Sequence, residues 1–253
     1  MQGEKETSQI TSQLNLRIKT NKKFGSVDLD EWLFNKLDIK KDYSVLDVCC
    51  GTGNHIIKLA ELFPEGNYYG IDISKSSIVE ARKKAEQKNL RINFICGDAS
   101  EASMLEDGFF DIIISIYALY YAKNTKKLLS VLKAKLKKEG RIAIMSPHKG
   151  NNKEWYSFLS SFMNIPAEIK SIADNFMDKK VLPFAKSNFN KLNTFHFQNK
   201  VIIPSYQDLK KYWASNIYHK PKFDKEFEKR ASGFFNKNKN FVITKKAWLV
   251  VMG

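Results

Sequence analysis

Short apolar runs alternate with amphipathic stretches over the first 150 residues of the chain. Apolar runs end at Asp47 and span residues 67–73, 91–96, 110–116 and 141–145, and these predict buried strands. Residues 74–88 and 128–138 place apolar side chains at helical spacing. Strands that alternate with helices are typical of an α/β domain built on a parallel sheet. We therefore expect an α/β fold.

The second part of the chain follows a different pattern. Residues 151–178 repeat large apolar side chains at helical spacing, and Pro183 interrupts that pattern. Residues 194–203 and 241–252 predict two further strands, and Ser205 predicts the N-cap of a helix that runs to Trp213. Repeats and interdomain linkers are not apparent, so residues 1–253 are predicted to form a single domain.

A glycine turn follows the first apolar run, in the segment YSVLDVCCGTGNHII at 43–57. A strand, a tight turn and a helix N-terminus in this order form the usual place where an α/β sheet holds a nucleotide-like ligand. One of Gly51 and Gly53 would permit the turn, and the other would let backbone N–H groups approach the ligand. The same glycines also fit an ordinary connection between a strand and a helix.

Two common nucleotide motifs do not fit this turn. A dinucleotide site has the pattern G-x-G-x-x-G, and Ile56 stands where the third glycine belongs. A P-loop needs a Lys-Ser or Lys-Thr pair, which does not follow the turn. The sequence therefore favours neither NAD nor a P-loop nucleotide.

Acidic residues recur at the ends of three successive predicted strands. Asp47 ends the first apolar run, Asp72 lies about 20 residues beyond the glycines, where Rossmann-like sites hold the ribose, and Asp98 follows the third run. An aspartate at a strand end is often a turn or capping residue. Three in this order favour a ligand site.

This arrangement resembles motif I of the class I S-adenosylmethionine (SAM)-dependent methyltransferases, written [DE]-x-G-x-G-x-G. Asp47, Gly51 and Gly53 match that motif, and Cys49 replaces its first glycine. The variant D-x-C-C-G-T-G is similar to the ubiquinone/menaquinone C-methyltransferase-like group. The segment LKKEGRIAI at 136–144 resembles the family's LKPGG entry to strand five, without its proline.

The resemblance implies a Rossmann-like seven-stranded sheet whose last two strands form an antiparallel hairpin, with a helical lid inserted before them. It implies a helical cover at 1–40, a SAM-binding core at 41–150, an acceptor lid at 151–193, and final strands and helices at 194–253. It implies SAM as cofactor and S-adenosylhomocysteine (SAH) as product. Asp72 would accept the ribose hydroxyls, Asp98 the adenine amino group, and Ala99 would offer its backbone N–H. The cofactor-binding residues would be Asp47, Cys49, Gly51, Gly53, Asp72, Ile73, Asp98, Ala99 and Ile116.

The expected chemistry is an in-line displacement at the methyl carbon of a sulfonium. His148 is the candidate general base, and Tyr121 is the candidate for orienting the acceptor or contacting the sulfonium. Each is equally a candidate packing residue. His196 and His219 are further candidates to reach the acceptor, and His55 is expected to pack beside the methionine end of the cofactor. No metal site is expected.

The charge pattern bears on the acceptor. The formal net charge is +15, and residues 150–253 carry most of the excess. Nucleic-acid sites usually exploit arginine, whereas the basic residues here are mostly lysines spread through the sequence. The arginines are Arg17, Arg82, Arg91, Arg141 and Arg230. We therefore favour a lysine-rich surface over an RNA-binding face, and an anionic small acceptor stays open.

Three functions remain at this point. The first is a small-molecule N-, O- or C-methyltransferase. The second is an RNA methyltransferase, against which stand the missing [DN]-P-P-[YF] at 116–119 and the missing Pro-Cys nucleophile. The third is a SAM-binding regulatory protein without activity. The absence of an apolar run of ~20 residues, and three cysteines expected at buried strand ends (Cys49, Cys50 and Cys96), predict a cytoplasmic protein with no membrane span.

Overall fold

The computed structural model of the protein describes residues 2–165 and 175–253, with side chains from residue 11 onward. A seven-stranded sheet has the strand order β3-β2-β1-β4-β5-β7-β6. Strands β1 to β5 run parallel, and β7 pairs antiparallel with both β5 and β6. The strands are β1 (Ser44–Val48), β2 (Asn67–Asp72), β3 (Asn93–Cys96), β4 (Phe110–Ile116), β5 (Leu136–Pro147), β6 (Leu192–Ile203) and β7 (Phe241–Met252). The α/β prediction and the terminal antiparallel hairpin are confirmed.

The described α-helices are α1 (Gln2–Phe24), α2 (Leu29–Leu37), α3 (Asn54–Leu62), α4 (Lys75–Glu86), α5 (Thr125–Lys135), α6 (Lys153–Ser160), α7 (Leu182–Asn188), α8 (Tyr206–Ala214) and α9 (Asp224–Phe235). Side-chain caps fix several of their starts. Ser74 accepts a hydrogen bond from the Ser77 N–H at the start of α4, and Ser205 accepts one from the Asp208 N–H at the start of α8. The predicted cap at Ser205 is confirmed.

Both faces of the sheet are covered, because successive side chains of a strand point to opposite faces. Val45 of β1 lies in a cluster with residues of α2, α3 and α4. Its neighbour Leu46 lies in a second cluster, with residues of α5 and α7. The sheet therefore forms the middle layer of three, which leaves the carboxyl ends of its parallel strands at one edge.

A third hydrophobic cluster lies beyond that edge. The β5–β7 pairing ends at Pro147 and Ala247, whereas β6 and β7 continue to pair as far as Ile203 and Phe241. The projecting part of this hairpin packs with α6, α8 and α9 around Trp155, which is 1% exposed. We call these elements, residues 153–165 and 199–245, the cap. The cap extends the structure past the carboxyl edge of the parallel strands.

Several predicted element boundaries were wrong. Helix α5 occupies 125–135 rather than 128–138, because Leu136 already has an extended backbone and pairs with Phe110. Strand β5 is correspondingly longer than the predicted 141–145. Helix α9 was not predicted. Cys96 is exposed rather than buried, since it ends the short edge strand β3.

The predicted helix over 151–178 is also different. Helix α6 ends at Ser160, residues 166–174 lie outside the described part of the chain, and the next described helical residues begin at 175. Pro183 does not end a helix. It occupies the first turn of α7, directly after a π-helical turn at Met177–Val181. Proline is tolerated there because the first-turn N–H groups make no hydrogen bond within the helix.

Candidate active site

The glycine turn follows β1 at the carboxyl edge of the sheet. The Cys50 N–H donates to the Ile71 carbonyl at 2.9 Å, which holds the turn against β2. Cys49, Gly51 and Gly53 all have positive φ, of 61°, 55° and 72°. A non-glycine residue rarely adopts this region, so the strain at Cys49 indicates a conformation that the surrounding structure enforces.

The two glycines serve different purposes. A Cβ at Gly53 would lie 3.1 Å from atoms of Ala81 and Phe94, so this glycine allows α3 to pack closely. A Cβ at Gly51 would have no atom within 4 Å. Gly51 therefore faces open space, and a bound molecule can approach its backbone there.

Asp72 holds this turn in place. One carboxylate oxygen accepts the Gly51 N–H at 2.8 Å, and the other accepts the Ser74 N–H at 2.8 Å. Each carboxylate oxygen can accept two hydrogen bonds, so both keep capacity for a ligand. The side chain is thus a structural link between β1 and β2 and also a fixed acceptor at the strand ends.

Asp98 lies after the neighbouring strand β3 and is exposed. Its Oδ1 accepts hydrogen bonds from the Ser100 N–H and hydroxyl, which lower the pKa of Asp98. It thereby caps a 3-10 turn at Ala99–Met104. Ile73, next to Asp72, is 73% exposed. This edge combines two acids with an apolar side chain that the protein leaves uncovered.

Asp47 is the third acid of the edge and is 1% exposed. Among the described residues, its Oδ2 atom has no hydrogen-bond partner. Burial raises the pKa of Asp47 to about 7, and the charge of Asp72 adds to that effect while His55 opposes it. A buried carboxyl without a partner indicates a place for a bound donor or cation.

His55 lies beside this carboxyl at the start of α3. Its Nδ1 atom is 2.6 Å from Asp30 of α2. Burial disfavours the charged ring, but the hydrogen bond to Asp30 more than offsets it and raises the pKa of His55. The His55 ring lowers the pKa of Asp47, whereas Asp30 raises it. The position of His55 beside the cofactor's methionine end stays a prediction.

Helix α1 crosses this edge. The Thr11 hydroxyl lies 3.2 Å from that of Ser77 in α4, and the Thr52 hydroxyl donates to Asn15 at 3.3 Å. Further along α1, the Arg17 guanidinium donates to the carbonyl of Ser215 at the end of α8. The helix therefore connects the glycine turn with the cap, through contacts that were not predicted. Its role as a cover stays a prediction.

Tyrosines gather between the carboxyl end of β4 and the cap. Tyr117 directly follows β4 with a positive φ of 58°, a second strained position at this edge. The rings of Tyr120 and Tyr121 are 4.5 Å apart, and those of Tyr156 and Tyr218 are 6.0 Å apart. We call Tyr117, Tyr120, Tyr121, Tyr156, Tyr212 and Tyr218 the tyrosine group. Tyr212 and Tyr218 were not predicted from the sequence.

The remaining predicted site residues, His148, Tyr121 and Ile116, differ in their surroundings. His148 stacks on the Trp248 ring at 3.8 Å, and its Nε2 lies 3.8 Å from Asp178. Tyr121 is 75% exposed. Ile116 ends β4 and is largely buried in the first core cluster. The roles assigned to these three side chains stay predictions.

Two other histidines make contacts away from the glycine turn. His196 of β6 contacts Trp248 edge-on, and His219 lies 3.0 Å from Asp224 in the cap. Over the described residues, no three His, Cys, Asp or Glu side chains are grouped so as to hold a metal ion. Within the same residues, none of the helices has the length and apolar character needed to span a bilayer.

A family model described as a methyltransferase domain matches residues 39–199. The chain belongs to this family. A demethylmenaquinone methyltransferase from Lactobacillus johnsonii is 29% identical over 163 residues, which are 62% of this chain and 65% of that enzyme. Thus the match spans less than two thirds of that relative.

A solved structure of a candidate methyltransferase from Bacillus halodurans has the same fold, with a TM-score of 0.57. It is 16% identical, and the alignment covers 88% of this chain and 97% of that one. A tRNA (guanine-N(7)-)-methyltransferase from Rubrobacter xylanophilus is 48% identical over 54 residues, only 21% of this chain and 24% of that enzyme. The chain therefore contains a methyltransferase domain, and its seven-stranded α/β fold matches that of solved methyltransferase structures.

Proposed function

We propose that this methyltransferase transfers the methyl group of SAM to an N, O or C atom of a small-molecule acceptor. The observation that best supports this proposal concerns two neighbouring residues. The backbone at Gly51 faces open space, and the buried Oδ2 atom of Asp47 has no partner among the described residues. Both lie at the carboxyl edge of the sheet, where folds of this kind bind ligands. They fit a ligand that brings a charged amine to Asp47 and lies close against the backbone at Gly51.

Each end of SAM has a fitting group on this edge. Asp47 would take the α-ammonium group, because a nearby cation offsets the cost of ionising a buried carboxyl. Asp72 would accept the ribose hydroxyls with its remaining lone pairs. Asp98, Ile73 and Ala99 would receive the adenine. When bound, SAM supplies an electrophilic methyl group on a sulfonium.

The protein's own part in the reaction is mostly alignment. Holding an acceptor in line with the methyl group can supply about 7 to 11 kcal/mol of the barrier reduction. Tyr121 and its neighbours would orient an acceptor at the end of β4, and His148 is the candidate base for an acceptor that must lose a proton. An amine in its neutral form would need no base.

The cover over the site favours a small acceptor. Helix α1 is hydrogen-bonded to α4 through Thr11, to the glycine turn through Asn15 and to the cap through Arg17. A folded RNA would have to displace this helix to reach the strand ends. A small molecule can be enclosed beneath it.

Labelled methyl transfer from SAM tests this proposal. Amines, phenols, carboxylic acids and quinols form one arm of the assay, and total RNA forms the other. We expect label in a small molecule, its loss in Asp72→Ala, and its retention in Asp42→Ala, which removes an exposed loop aspartate. Label in RNA alone would favour an RNA methyltransferase. SAM binding without any methyl transfer would favour a SAM-binding regulatory protein.

A further inference from the structure

Two basic side chains approach the tyrosine group from opposite parts of the chain. Arg17 comes from α1, and Lys245 comes from the projecting part of β7. The Lys245 ammonium donates to the Tyr212 hydroxyl at 2.8 Å and lies 5.3 Å from the centre of that ring. Burial lowers the pKa of Arg17, and the nearby hydroxyls of Tyr212, Tyr121 and Tyr120 oppose that effect.

Neither cation has an acidic partner among the described side chains. In the part of the chain whose side chains are described, carboxylates form ion pairs with many lysines but with neither Arg17 nor Lys245. Arg17 donates to the neutral Ser215 carbonyl. Both side chains are half-buried, and burial lowers the pKa of Arg17 although the tyrosine hydroxyls oppose this. Two half-buried cations without a counter-ion are costly unless an anion joins them.

The surroundings of these cations are aromatic. Burial raises the pKa of Tyr120 and of Tyr218, and the nearby hydroxyls of Tyr121 and Tyr156 add to that effect on both. Tyrosine rings offer flat apolar faces together with hydroxyl groups that can donate hydrogen bonds. A guanidinium binds the two oxygens of a carboxylate or phosphate with a matched pair of N–H groups. The combination suits a planar molecule that carries an oxyanion.

We propose that Arg17 and Lys245 form an anion-binding pair in a tyrosine-lined acceptor pocket, which selects planar acceptors bearing a carboxylate or phosphate. This inference rests on the proposed small-molecule methyltransferase function and specifies its substrate class. It also explains why α1 reaches the cap. The helix supplies one half of the pair and β7 supplies the other, so the pocket is complete only when the two are together.

Binding of 4-hydroxybenzoate to the SAH-saturated protein tests the pair. Phenyl phosphate distinguishes the two oxyanions, and tyramine replaces the anion by a cation on a similar ring. We expect 4-hydroxybenzoate or phenyl phosphate to bind and tyramine to bind at least tenfold more weakly. Arg17→Met and Lys245→Met should each weaken binding of the anion at least tenfold, and Arg17→Lys should recover part of the loss.

Lys19→Met is the matched control, because it removes an exposed charge from the same helix, and we expect less than a twofold change. The SAH affinity of every variant is measured separately and should stay within threefold of the parent. Tighter binding of tyramine, no binding of either anion at millimolar concentration, or unchanged anion binding in both Met variants would overturn the proposal. A loss of SAH affinity in Arg17→Met would instead assign Arg17 to the cofactor. Failure of the parent protein to bind SAH would reject the proposed function itself.

Discussion

Two regions of the molecule differ in how far apart their parts lie in the sequence. One is the cap, and the other is the group of strand ends that carry Asp47, Gly51, Asp72 and Asp98, which we call the cofactor edge. At the cofactor edge, Gly51 and Asp72 are 21 residues apart, and their hydrogen bond joins two neighbouring strands. In the cap, Arg17 reaches Ser215 across 198 residues. A site made from adjacent strands and turns depends on local backbone chemistry. A site made by long-range packing depends on the whole fold, and so it can change its ligand while the first stays the same.

Trp155→Ala tests whether the two regions are separable, and we expect it to have the largest effect. Trp155 is fully buried in the cap, so its loss should lower the free energy of unfolding by about 3 to 5 kcal/mol. SAH affinity should change by less than about threefold, because the described ring contacts of Trp155 all lie in the cap. Chemical denaturation and calorimetry measure the two quantities. An equally large loss of SAH affinity would show that the regions are one unit.

Gly51→Ala should instead reduce SAH affinity strongly and folding stability only slightly. Its Cβ would enter open space, so the folded protein should lose only about 1 to 2 kcal/mol from the positive φ. SAH affinity should fall at least about 30-fold, or about 2 kcal/mol, because the Cβ occupies ligand space. Gly53→Ala is the control. Its Cβ would meet packed atoms of Ala81 and Phe94, so this variant should lose more folding stability than Gly51→Ala does. If Gly51→Ala binds SAH normally, the open face at this glycine is not the cofactor site.

Asp47→Asn should show opposite effects on stability and binding. The pKa of Asp47 is raised to about 7, so the unfolded state binds fewer protons and stability falls as pH rises from about 4 to about 7. Above that range the variant should be more stable by about 1 to 2 kcal/mol, and near pH 4 the gain should disappear. SAH binding should weaken in the variant. Melting curves at several pH values would contradict this if the gain were larger in acid.

Salt should have the smallest effect. Between about 50 and about 200 mM salt, affinity for a small anionic acceptor should fall less than about threefold, because few ions are released. RNA would show a steep linear fall on a logarithmic plot. Acceptor titrations over this range decide between them. A steep slope would support nucleic acid and would contradict an acceptor enclosed at the cap.

The sequence predicted the strands and the glycine turn of the cofactor edge well because their signals are local. A strand followed by Gly51 and Gly53, and an acid about one βα unit later at Asp72, follow directly from turn and strand chemistry. The hairpin at the end of the sheet was likewise visible as two apolar runs. Boundaries were less accurate, as at α5, because pairing between Leu136 and Phe110 ended that helix early.

The acceptor side was less predictable for the same physical reason. The aromatic spacing around Trp155 indicated a helix correctly, but not that Trp155 would pack against Trp213 and Phe227 of later helices. Arg17 and Lys245 carry no motif that would connect them. Their shared position arises only when α1 and β7 meet at the cap, which spacing within one segment cannot reveal.

Calorimetric titration of the unmodified protein with SAM, SAH and NAD tests the central claim most directly. We predict that SAM and SAH each bind with one molecule per chain and that they compete for one site. NAD should give no heat of binding, because Ile56 replaces the third glycine of a dinucleotide turn. Binding of NAD with no signal from SAM or SAH would contradict the account.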